Sequence, residues 1–108
     1  MKIGRASSAI LRSIEKLPKK RLSGRFFSGF YVKNSENKAF FAISISKKTA
    51  LKAVDRNRAR RRAREALKTA LQSLKIPIIA MITLNKASLT ASFRDLSCEY
   101  QEVLATLR

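Results

Sequence analysis

In 108 residues the chain carries 24 lysines and arginines against seven acidic residues, a formal charge of +17, with 45% hydrophobic residues, no histidine and a single cysteine, Cys98. That length suits one domain with a modest core, residues 1–108 together, and the hydrophobic share sets the sequence apart from charged disordered tails. The composition excludes an intramolecular disulfide, a Cys/His zinc site and a histidine general base, while self-repulsion at this charge makes a polyanion the natural partner.

From Ala6 to Leu17 the apolar residues Ala6, Ile10, Ile14 and Leu17 recur at spacings of four, four and three, which predicts a short amphipathic helix stopped by Pro18. Lys16, Lys19, Lys20 and Arg21 make the end of that helix and the following turn basic. Arg25 to Lys33 reads as a strand with apolar residues on both faces, Phe26, Phe30 and Val32 against Phe27 and Tyr31. A two-layer domain protects one sheet face only, so some of these aromatics should lie under the first helix or in an open groove where they can stack on nucleobases. The polar turn Asn34 to Asn37 leads to a second strand, Ala39 to Ser46, with Phe41, Ile43 and Ile45 on its core face.

Lys47 to Asp55 is a basic connector in which Lys47, Lys48 and Lys52 are flexible point charges suited to phosphate. Asp55 is the expected N-cap of the helix that follows. Six of the nine residues from Arg56 to Arg64 are arginine. At about 100° per residue, Ala59, Ala63, Ala66, Leu67, Ala70, Leu71 and Leu74 fall within a sector of roughly 140°, so one side of this helix is core. Arg58, Arg61 and Arg62 point away from it, and Arg60 and Arg64 approach its Leu71 edge, along a groove between helix and sheet. Ile76 to Thr83 is a buried strand, Asn85 to Ala91 a loop, and Phe93, Leu96, Tyr100, Val103, Leu104 and Leu107 the apolar side of a last helix capped by Ser92.

The seven carboxylates are scattered, and only Glu99 and Glu102 stand one turn apart on a predicted helix. That pair makes a poor metal clamp, and no Gly-rich phosphate loop, CxxC or HExxH motif occurs. No catalytic residue, protein-held metal or organic cofactor is expected. No apolar run approaches the roughly 18 residues of a membrane span, so neither membrane association nor a secretory leader is expected, and the location expected is cytoplasmic. Holding a nucleic acid while another component performs the chemistry fits these residues best; a ribosomal or RNA-chaperone protein would use the same charge for rRNA.

The segment Ile43 to Lys48, ISISKK, followed by Ala53 to Glu65, AVDRNRARRRARE, resembles the signature of the protein component of bacterial ribonuclease P, and the order of elements corresponds over nearly the whole chain. The resemblance implies a compact two-layer α/β sandwich with a predominantly antiparallel sheet and a left-handed βαβ crossover, like the second domain of ribosomal protein S5. It implies that a separate catalytic RNA, using Mg²⁺, removes the 5′ leader of precursor tRNA, with this subunit binding both the RNA and the leader and needing no obligate homo-oligomer. Lys47, Lys48, Lys52, Arg56, Asn57, Arg58, Arg60, Arg61, Arg62 and Arg64 would then face the catalytic RNA. Arg25, Phe26, Phe27, Phe30 and Tyr31 would line the leader cleft. The chain departs from the family pattern in two places: its first helix offers Ile10, Ile14 and Leu17 where phenylalanines are common, and its late strand has Ala80-Met81 where Ala-Arg is common.

Overall fold

Alternating apolar residues and phased helices assemble, in a computed structural model that describes residues 1–107, into one five-stranded sheet with helices on its faces. The elements in chain order are β1 (Lys2–Arg5), α1 (Ser8–Ser13), β2 (Lys20–Ser23), β3 (Phe27–Lys33), β4 (Lys38–Ser44), α2 (Ala53–Leu74), β5 (Ile78–Leu84), a 3₁₀ turn (Lys86–Leu89) and α3 (Phe93–Ala105). The strand order is β1-β4-β5-β3-β2. β1 with β4 and β4 with β5 run parallel, whereas β5 with β3 and β3 with β2 run antiparallel. The ladders thus divide evenly instead of favouring the antiparallel kind, because β1, which the sequence pattern does not reveal, supplies a second parallel pairing. The parallel β4–α2–β5 unit is the βαβ crossover that the resemblance implies.

β1 and β2 escape a periodicity reading because they are short edge strands rich in charge, the composition that keeps an exposed edge from recruiting further strands. Only Leu22 of β2 is fully buried, and β1 has no buried residue. α1 is shorter than the expected span from Ala6 to Leu17. The Ser7 hydroxyl caps it by accepting from the Ile10 N–H, the helix ends at Ser13, and residues up to Leu17 continue as turns. Pro18 disfavours helical backbone at Leu17, whose side chain is exposed and adds no packing to extend the helix.

The strands on either side of Asn34 to Asn37 are not sheet neighbours: β5 is inserted between them, pairing with β3 over seven residues and with β4 over five. Asn34 shapes this connection, its backbone N–H donating to the Pro77 carbonyl and its side-chain amide to the Lys38 carbonyl, both at 2.9 Å. Within the β3–β5 ladder, Gly29 is fixed by sterics, since a Cβ there would overlap the Met81 carbonyl oxygen.

One sheet face carries the main core. Ala59, Ala63, Ala66, Leu67, Ala70 and Leu71 of α2 are buried against it, with Leu74 partly buried at the margin, which is the sector the helical spacing predicts. Small alanines let the helix axis approach the strands at little cost in side-chain entropy. α3 closes the same layer through Leu96, Tyr100 and Leu104, and the Tyr100 ring lies 4.8 Å from that of Phe27. Burial, with the charge of Glu99 next in importance, pushes the Tyr100 phenol well above its ordinary ionisation range. Phe93 differs from expectation in being substantially exposed at the start of α3. Ser92 caps that helix as its spacing predicts, accepting from the Asp95 N–H at 3.1 Å. α2, by contrast, starts earlier than expected: Lys52 occupies the cap position without a side-chain bond, and Asp55 sits inside the first turn, where its charge complements the helix dipole.

The opposite sheet face is only partly covered. α1 packs there over a small cluster of Ile14, Val32 and Ile79, with Ile10, Leu11, Phe40 and Met81 at its border. Beyond Met81 this face is open.

Candidate nucleic-acid interface

Two surfaces emerge from this architecture, one on α2 and one on the open sheet face. The α2 surface begins at the turn after β4, where the Ser46 side chain accepts from the Thr49 N–H at 3.2 Å and its carbonyl accepts from the N–H of Ala50. Arg56 reaches back from the helix to donate to the Ala50 and Leu51 carbonyls at 2.8 and 2.9 Å. The guanidinium therefore ties the turn to α2. Lys47, Lys48 and Lys52 stand exposed on this hydrogen-bonded connector.

Along α2 the arginines divide by angle around the helix. Arg58 and Arg61 are exposed on the outward face. Arg60 and Arg64 lie half-buried on one flank, where they share a groove with Arg5 of β1 and with Phe41 and Ile43 of β4, as their approach to the Leu71 edge predicts. Asn57 orients one of them, its side-chain oxygen accepting from Arg60. Burial first, then the charges of Arg5 and Arg60, lower the proton affinity of Arg64, against which Glu65 acts weakly in the other direction. Among the described residues the sole ion pair within 4.0 Å joins Lys38 to Glu36, so the α2 arginines have no carboxylate partner at that range. Uncompensated like charge in a partly desolvated groove is a standing cost that a bound polyanion removes.

Arg62 is a different case, because its guanidinium is engaged by backbone acceptors of the chain itself. It lies on the other flank and donates to the Ala91 and Leu89 carbonyls at 2.9 and 3.0 Å, holding the segment before α3 against α2. Replacing Arg62 by alanine should cost about 1–2 kcal/mol of stability, the scale of charge-assisted hydrogen bonds lost from partly buried acceptors. RNA affinity of the folded variant should be little changed, and a chemical denaturation curve beside a binding titration checks both halves.

The open sheet face is set by register. Arg21, Phe30, Met81 and Ala42 form one cross-strand row, and Ser23, Ser28, Thr83 and Ser44 form the next. Phe30 is 48% exposed, and the hydroxyls of Ser44 and Thr83 lie 3.4 Å apart. An aromatic beside a thioether, a hydroxyl row and an edge arginine together make a platform suited to unpaired bases and their backbone. Phe26, Phe27 and Tyr31 cannot share in it. All three are buried in the main core, at 8%, 2% and 6% exposure, contrary to the expected cleft lining, and Phe30 is the one aromatic of that set left exposed. Arg25 is exposed in the β2–β3 turn, its guanidinium 5.5 Å from the Phe26 ring centroid. The sequence reading missed Arg5, along with Arg21, Met81 and the hydroxyl row as platform residues, because their placement needs strands β1 and β2 and the β3–β5 register.

Glu99 is occupied structurally. Its two oxygens accept the backbone N–H groups of Arg25 and Phe26, each at 2.9 Å, and Gly24 leaves room for it because a Cβ there would collide with the carboxylate. No group of three potential metal ligands converges among the described residues. No helix among them is long and apolar enough to cross a membrane.

Fold and surface together define a small mixed α/β protein that presents a strongly basic helix beside a half-open sheet. The family model for ribonuclease P matches residues 12–108, and the chain belongs to that family. A ribonuclease P protein component from Carboxydothermus hydrogenoformans is 51% identical over 49 residues, a match spanning 44% of this chain and 41% of that protein. The chain thus aligns with about two fifths of that relative's length. The fold is shared with the RNase P protein of Staphylococcus aureus (TM-score 0.69, 17% identity, 97% of this chain and 94% of that one). It is shared also with the RNase P protein of Thermotoga maritima (TM-score 0.67, 22% identity, 90% of each chain).

Proposed function

We propose that this chain is the protein subunit of ribonuclease P, binding the enzyme's catalytic RNA through α2 and its connector and the 5′ leader of precursor tRNA on the open sheet face. The observation that carries this reading is the array of Arg58, Arg60, Arg61 and Arg64, unpaired by carboxylates of the described residues within ion-pair range, inside the segment that bears the family signature. Lys47, Lys48 and Lys52 extend it, and Asn57 positions Arg60. Arg56 and Arg62 contribute by holding the scaffold.

The reaction is Mg²⁺-dependent hydrolysis of one phosphodiester, and Mg²⁺ there orients and polarises the reacting oxygens. The carboxylates among the described residues offer a poor fit for that ion: each Glu99 oxygen already accepts a backbone N–H, and although Asp95 and Glu102 border the same cleft, no three ligand groups converge there. On this reading the RNA would hold the metal. The protein's part is to neutralise phosphate repulsion so that RNA helices and leader can approach, and to offer Phe30, Arg21 and Arg25 to the unpaired leader. With no histidine in the sequence, this chain supplies no imidazole general base, and its role on this reading is noncatalytic. Such a subunit works where tRNA is matured, in the cytoplasm.

Competition binding tests the partner. At physiological salt, ribonuclease P RNA should displace a size-matched rRNA fragment and duplex DNA from the protein at least about tenfold more effectively than either displaces it, since shape-matched contacts add to the nonspecific phosphate term. Equal competition by all three would reduce the protein to a general polyanion binder. Preference for the rRNA fragment would favour a ribosomal role.

A further inference from the structure

The groove between β1 and α2 brings three guanidinium groups together from elements far apart in sequence. Arg5 ends the edge strand β1, whereas Arg60 and Arg64 belong to the second and third turns of α2. The groove is floored by Phe41 and Ile43 of β4, and Phe41 is 3% exposed. An apolar floor weakens solvent screening, which strengthens both the repulsion among the three arginines and any attraction to an anion placed between them. β1 itself is lightly held. It forms a four-residue parallel ladder with β4, closed by the Ala6 N–H donating to the Phe41 carbonyl at 2.8 Å, and buries none of its residues completely. Its terminal charge therefore opposes the docking that brings Arg5 to the groove.

We propose that Arg5 extends the RNA-binding surface from α2 onto the edge strand, with one RNA phosphodiester held between Arg5, Arg60 and Arg64, so that β1 is fastened by the RNA it helps to bind. This rests on the reading of α2 as the RNA surface and adds to it a residue, a place for one phosphate and a coupling. Guanidinium forks match phosphate oxygens in geometry, and three of them from two elements would fix the angle at which an RNA backbone crosses the groove. The phosphate in turn converts mutual repulsion of strand and helix into a shared attraction.

Hydrogen exchange and salt-dependent binding test this on the intact chain with a ribonuclease P RNA transcript. RNA should slow exchange of the Ala6 amide about tenfold or more in the native protein, and the slowing should vanish in Arg5→Gln. The same variant should bind RNA roughly five- to tenfold more weakly near 0.1 M salt and lower the slope of log affinity against log salt by about one. Lys2→Gln supplies the control, removing the same charge from the same strand at a position outside the groove, and should change affinity less than about twofold. Equal losses for the two variants would reduce the effect to net charge and overturn the proposal, as would unchanged Ala6 exchange on RNA binding by the native protein. Inorganic phosphate at matched ionic strength forms the other arm: if it slows Ala6 exchange as fully as RNA does, the groove is a free-phosphate site and the RNA assignment fails. Arg60→Gln/Arg64→Gln separates the two levels. Loss of RNA binding in that double variant beside native behaviour of Arg5→Gln sinks only the extension to β1, whereas native binding by the double variant sinks the α2 reading itself.

Discussion

Replacing Arg58, Arg60, Arg61 and Arg64 together by alanine should lower affinity for ribonuclease P RNA by about a thousandfold near 0.1 M salt, with the folded state intact. The magnitude follows from counterion release, in which each lost phosphate contact removes up to about 0.9 from the salt slope, so four contacts remove roughly three to four. Folding should survive because alanine is the strongest helix former and none of the four side chains belongs to the buried stripe of α2. Removing Arg60 and Arg64 also relieves repulsion around the groove with Arg5, so the free variant should melt no earlier than the native protein at low ionic strength. Lysine at all four positions should restore only part of the affinity, since it keeps charge and loses the planar fork. Circular dichroism and a salt titration decide the matter: native affinity and slope in a folded variant would remove α2 as the RNA surface.

The second large effect is all-or-none. The purified chain alone should leave precursor tRNA intact even with Mg²⁺, and addition of its cognate catalytic RNA should yield one cut at the 5′ boundary of the mature tRNA. Stimulation by the protein should be greatest at low Mg²⁺, where RNA phosphates are poorly screened and a chain of charge +17 is worth most. The assembled enzyme should prefer leader-bearing precursor to mature tRNA, and Phe30→Ala should reduce that preference by roughly tenfold, the scale of one base–aromatic stack. Cleavage by RNA-free protein would overturn the division of labour. Failure of the folded protein and RNA to assemble would overturn the partnership.

These outcomes depend on distinctions that the sequence shows unevenly. The buried side of α2 is legible because alanine and leucine recur with helical spacing, and the Ser92 cap is legible because its geometry is local. The division among the arginines is not local. Arg58 and Arg62 look alike in a basic run, yet Arg62 meets carbonyls 27 and 29 positions away and Arg58 meets none of them. The aromatics of β3 show the same limit. Alternation separates Phe30 from Phe27 and Tyr31, but which side receives α2 and α3 depends on how β5 enters the sheet. Phe26 lies just outside the strand and joins the core with them, contrary to simple alternation with Phe30. Strands β1 and β2 hide for a related reason, since their polar composition reflects a position at the sheet edges.

The insertion of β5 between β3 and β4 also dictates an order of events during synthesis. As the chain grows from its amino terminus, β3 and β4 emerge early yet have no native ladder with each other, and the strand that unites them ends only at Leu84. Before then the nascent chain can form the β2–β3 hairpin and the β1–β4 pair, but α2 still lacks α3, the element against which it packs most extensively. At translation speeds of about 5–20 residues per second, the arginine segment spends on the order of a second or more as a tethered polycation before its scaffold exists. Long-range pairing of this kind raises contact order and slows folding. The most highly charged part of the molecule thus meets the RNA-rich surroundings of the ribosome before it has a shape with which to discriminate among them.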